Sequence, residues 1–124
     1  MLKENLDISQ RMRIVGLYDL YGSLLTERQK KCMELYFYND LSLSEVAEEL
    51  EVTRQAIYDL LRRVEQILER YEKELKLLEH FKETDMLLSE AETRLKFHLN
   101  NNGDLKSLNK VLSILTELKS KGRV

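Results

Sequence analysis

Residues 42–63 read SLSEVAEELEVTRQAIYDLLRR. Two short helical patterns meet here across a polar turn, and the fold depends on how they pack. Ser42 followed by Glu45 is a capping-box pair, in which the side chains satisfy free amides at a helix start. The helix it opens runs to about Leu50, and Thr53 can cap the next. A helix-turn-helix needs a small residue where the helices cross, an apolar plug in the turn and an apolar inner face on the second helix. Ala47 is the small residue, flanked by Val46 and Leu50; Val52 plugs the turn; Ile57 and Leu60 face inward; Ala56 is a second small contact. Glycine often follows the first helix because it accepts a positive φ without steric cost. Glu51 stands there instead and must accept strain or use another turn.

The second helix leaves Thr53, Arg54, Gln55, Tyr58, Asp59 and Arg62 outward, with Arg63 at the edge. Arg and Gln suit bidentate contact with guanine and adenine edges in the major groove. Thr53 and the amides after it can hold a backbone phosphate. These seven residues are the candidate nucleic-acid-binding set. Charge argues the other way: between 41 and 66, Arg54, Arg62 and Arg63 stand against six acidic residues, and the whole chain has a formal net charge of −2. Phosphate neutralisation supplies most non-specific affinity, so any nucleic-acid contact must be a local patch.

Working outward, a first helix is expected from about Ile8 to Tyr21, with Met12, Val15 and Tyr18 at helical spacing and Gly22 just past its end. Thr26 and Gln29 form another capping box, opening a helix with Cys32, Leu35 and Tyr36 on one face. From Arg54 an apolar pattern runs past Phe81 without Pro or Gly. This predicts one long helix of about 30 residues and about 45 Å. A break is expected at Thr84-Asp85, and NNNGD at 100–104 signals a turn before a last helix. The expected organisation is all-α: a wingless helix-turn-helix domain over 1–83 with a long connecting helix, and a helical hairpin over 84–124. The Leu-rich stripes of the second half exceed what one subunit hides, so a homodimer is expected.

The chain has no proline and one cysteine, Cys32, which fits a reducing compartment. No apolar run suits a signal peptide or membrane span, so a cytoplasmic location without membrane insertion is expected. His80 and His98 are isolated, predicting no metal site. No phosphate loop or catalytic constellation is present, which predicts a non-enzyme without cofactor or catalytic residues.

The segments LYDLYGSLLTERQ, NDLSLSEVAEEL and VTRQAIYDLLRR follow one another in register. Together they resemble region 4 of bacterial sigma factors and, more closely, the small YlxM-type helix-turn-helix proteins, over about residues 10 to 85. The resemblance implies an all-helical fold and a role in the signal recognition particle pathway. It further implies contact with that particle's GTPase or its small RNA, and places Arg54, Gln55, Tyr58 and Arg62 where sigma-type modules meet nucleic acid. The reading that follows is a regulatory protein binding DNA or the particle RNA. The alternative is a protein-interaction module for the particle's GTPase or RNA polymerase that makes no nucleic-acid contact.

Overall fold

The computed structural model describes residues 7–101 and 105–121. Among the described residues every regular element is helical. They are α1 (Ile8–Tyr21), α2 (Glu27–Met33), α3 (Leu43–Glu49), α4 (Arg54–Leu75), α5 (Leu77–Asn101) and α6 (Leu105–Lys121). A 3₁₀ turn over Gly22–Leu24 follows α1, and a π-helical segment over Glu34–Tyr38 extends α2. The chain divides into two compact units, Met1–Leu78 and Glu79–Val124. The expected turn at 100–104 falls partly on 102–104, outside the described residues.

Helix starts follow the caps written in the sequence. Thr26 Oγ1 accepts from the Gln29 amide at 3.1 Å while Gln29 Oε1 accepts from the Thr26 amide at 3.0 Å. Ser42 and Glu45 repeat the exchange at 3.1 and 3.0 Å. Each reciprocal pair satisfies two amides that a helix start otherwise leaves open. The backbone and hydroxyl of Ser42 hold the Glu45 carboxyl below its usual range.

Helix ends are less orthodox. Asp40, Glu51 and Lys76 all take positive φ, at 57°, 57° and 55°. An L side chain in the left-handed region costs roughly 1 kcal/mol relative to glycine. Lys76 matters most for the architecture. Its amide still bonds to the Glu72 carbonyl at 2.8 Å, but its φ of 55° ends α4 there. The expected continuous rod therefore breaks at Lys76. The chain runs helically through Thr84-Asp85, where the break was expected, because α5 spans Leu77–Asn101. No glycine or proline marks the true break, which is why the pattern hides it.

The core of the first unit is a stripe on α4, Ile57, Leu61, Val64 and Leu68, each at most 1% exposed. Ile14, Leu17 and Tyr21 of α1 are buried in the same cluster. The expected α1 face was Met12, Val15 and Tyr18; Met12 is 69% exposed and the other two are half-buried. Cys32, Leu35 and Tyr36 are buried as the spacing predicts.

The α4 stripe continues into Glu72, a carboxylate only 8% exposed. Tyr21 Oη, on α1, donates to Glu72 Oε1 at 2.7 Å and accepts from the Leu77 amide at 3.1 Å. The Leu78 amide donates to the same Oε1 at 3.0 Å. Glu72 and Tyr21 thus cap the first amides of α5, where a carboxylate also suits the helix dipole. Burial, and then the Glu72 bond, raises the Tyr21 phenol above its ordinary pKa.

Candidate nucleic-acid interface

The turn between α3 and α4 closes as a Schellman motif. The Val52 amide bonds to the Ala47 carbonyl at 2.9 Å and the Glu51 amide to the Glu48 carbonyl at 3.2 Å. Glu51 holds the left-handed position between them. Of the two ways Glu51 could fit, the chain keeps the standard turn and accepts the strain. Val46 and Ala47 are buried at 0% and 5%, so the crossing is built as the spacing requires. Ile57 faces inward, but Leu61 and not Leu60 is its fully buried partner; Leu60 is half-buried. Ala56 is exposed and makes no core contact of the expected kind.

The seven candidate residues separate into distinct roles. Thr53 Oγ1 accepts from the Ala56 amide at 3.1 Å and is the N-cap of α4. Arg54, Gln55, Asp59 and Arg63 are exposed, while Tyr58 and Arg62 are half-buried. Gln55 Nε2 donates one hydrogen to Asp59 Oδ1 at 3.0 Å, which leaves its second N–H and its Oε1 to meet a base edge. Asp59 and Arg63 line a cavity of about 320 Å³ with Thr26, Arg28 and Gln29 from the start of α2. Arg62 lines a separate cavity of about 270 Å³ with Glu65, Gln66 and Glu69. Arg63 thus shares its cavity with the Arg28 guanidinium and the Asp59 carboxylate, and Arg62 shares its own with two carboxylates.

Arg28 is the residue that sequence reasoning passed over. It lies on α2, far from the recognition helix in sequence, and only packing brings it to Arg63. Two other basic residues are engaged in bonds within the first unit. Arg13 Nε and Nη2 donate to the two Glu69 oxygens at 2.7 and 2.8 Å, which raises the Arg13 pKa. Arg11 Nη2 donates to the Tyr36 and Phe37 carbonyls at 3.2 and 3.4 Å, with its guanidinium 5.0 Å from the Phe37 ring centroid. Neither extends a positive face around α4.

Among the described residues no group of acidic, Cys or His side chains is placed to hold a metal ion, and no helix is long and apolar enough to cross a membrane. A tight α3–α4 crossing beneath an exposed polar helix face defines an all-α helix-turn-helix protein. Residues 8–118 match the family described as "Putative helix-turn-helix protein, YlxM / p13 like", and the chain belongs to that family, UPF0122. It is 48% identical over 83 residues to a UPF0122 protein of Shouchella clausii, covering 67% of this chain and 76% of the relative. A UPF0122 protein of Bacillus mycoides is 41% identical over 101 residues, covering 82% and 92%.

Proposed function

We propose that the protein is a non-enzymatic, cytoplasmic regulator that binds nucleic acid through the outer face of α4. The observation that carries this reading is the exposed row Arg54, Gln55, Asp59 and Arg63 on a capped helix, with Arg28 beside it. Arg63 and Arg28 suit a backbone phosphate; Arg54 and Gln55, nearer the helix start, suit base edges. The target is DNA or the signal recognition particle RNA, and the protein acts in that particle's pathway as a homodimer. One observation favours a second reading. The acidic residues Glu48, Glu49 and Glu51 are exposed on and just after α3, which suits docking on the basic surface of a protein such as the particle's GTPase or RNA polymerase.

Crosslinking the tagged protein in cells and sequencing the recovered nucleic acid separates the two. Recovered promoter DNA or particle RNA, lost in an Arg54→Ala, Arg62→Ala double variant, supports nucleic-acid binding and names the target. Recovery of nothing above background refutes it and leaves the protein-docking reading. In vitro, log affinity should fall with log salt, at a slope near −0.9 per DNA phosphate neutralised. Arg63→Ala should flatten that slope by about one contact, since Arg63 is assigned to a phosphate.

A further inference from the structure

The second unit carries more apolar surface than its two helices cover. Ala91 on α5 and Ile114 on α6 are buried. Leu87 and His98 on α5, and Val111 and Leu118 on α6, are half-buried at three-, four- and seven-residue spacings from them. These stripes carry the most buried positions of α5 and α6.

Beside each runs a second stripe. On α6, Leu105, Leu108, Leu112 and Leu115 recur at spacings of three and four and are 74%, 37%, 63% and 49% exposed. On α5, Phe81, Leu88 and Leu95 recur every seven residues and are 60%, 48% and 42% exposed. At 3.6 residues per turn, the second stripes of two antiparallel helices fall on the same side of the pair. Each of the seven side chains shows roughly half of the ~150 Å² that a large apolar side chain carries, so the face amounts to about 500 Å² per chain. That is close to the apolar share of the ~800 Å² each partner gives a standard interface.

We propose that this face joins two copies of the chain, the two hairpins closing into a four-helix bundle about a two-fold axis. The inference rests on the homodimer reading above and names its surface. Charge points to a second copy as the occupant. Over 77–101, three basic residues stand against five acidic ones, and over 105–121 four lysines stand against one glutamate. A two-fold axis running parallel to the helices sets the basic α6 of each copy across from the acidic α5 of the other, so the favourable pairing occurs twice.

Sedimentation equilibrium of the full chain across a micromolar series tests this. The expected mass is twice the chain's 14.7 kDa. Leu112→Ala with Leu115→Ala keeps helix propensity and should raise the dimer Kd at least ~100-fold through lost apolar burial. A wild-type monomer throughout overturns both the surface and the homodimer reading. A dimer unmoved by the double variant overturns the surface alone. If far-UV circular dichroism shows that this variant loses helix, Lys119→Glu, four residues after Leu115 on the same stripe, decides instead: a weakened dimer supports the surface and an unchanged one overturns it.

Discussion

Replacing Tyr21 by Phe removes one oxygen atom from the centre of the first unit and keeps the ring. That oxygen donates to Glu72 Oε1 at 2.7 Å and accepts from the Leu77 amide at 3.1 Å. A hydrogen bond to a charged group is worth about 1.5–3 kcal/mol, and an amide left without its acceptor costs about 1 kcal/mol more where it is partly buried. The expected loss is therefore about 2–4 kcal/mol, a large share of the ~5–15 kcal/mol that holds a domain folded. All six tyrosines lie between residues 18 and 71, so tyrosine fluorescence reports the first unit alone during urea unfolding. Tyr71→Phe is the control, because its ring lies 5.8 Å from that of Tyr21 while its hydroxyl lies outside the Glu72 network. It should stay within about 0.5 kcal/mol of wild type. Glu72→Gln combined with Tyr21→Phe should cost less than the two separately, with a coupling of about 1–3 kcal/mol. A Tyr21→Phe protein as stable as the control, or a coupling near zero, would refute the assignment of this network as the clamp on the α4–α5 junction.

Glu51→Gly should stabilise the first unit by about 0.5–1 kcal/mol in urea unfolding, relief of left-handed strain exceeding the entropy glycine adds to the unfolded chain. Lys76→Gly should behave alike, and a loss in both would contradict the strain argument. The Glu45 carboxyl has a folded pKa below its ordinary value of 4.5. Its contribution is therefore present above that value and lost as pH falls through the depressed one, which a proton titration of Glu45 by NMR would read directly. Burial pushes the Cys32 thiol up to about 11 from 9.0. Native protein should resist a thiol reagent at pH 8 until urea unfolds it, and stability should decline only as pH rises through 9 toward 11; fast labelling of the folded chain would count against burial.

Much of the first unit was legible in the sequence because its helix starts are written in side chains that satisfy their own amides. Ser42, Glu45, Thr26, Gln29 and Thr53 announce three helix starts, and Val46, Ala47 and Ile57 fix the crossing. The helix ends were harder, since Asp40, Glu51 and Lys76 occupy positions where glycine would have signalled the stop. Apolar periodicity was ambiguous on α1, where two stripes offset by two or three residues are both plausible and only packing against α4 selects Ile14, Leu17 and Tyr21. Glu72 was missed because a glutamate in a helix reads as solvated, although it stands four residues after Leu68 in the buried stripe. At the candidate interface, Thr53 caps α4 and the other six residues lie on it. The Gln55–Asp59 bond is an i,i+4 pair that the spacing permits, whereas the shared cavity of Arg63 and Arg28 depends on helix packing that no spacing encodes.

The clamp at Glu72 also sets where the first unit can be cut. A fragment ending at Leu75 contains all of α4 and the whole helix-turn-helix, yet it removes the two amides that Tyr21 and Glu72 receive. A buried carboxylate would then keep the Tyr21 hydroxyl but lose its backbone donor, and the penalty would fall on a core far from the scissile point. Two more residues beyond the left-handed Lys76 restore the arrangement. A fragment meant to keep the first unit intact should therefore end no earlier than Leu78, inside a helix that the eye would assign to the other half.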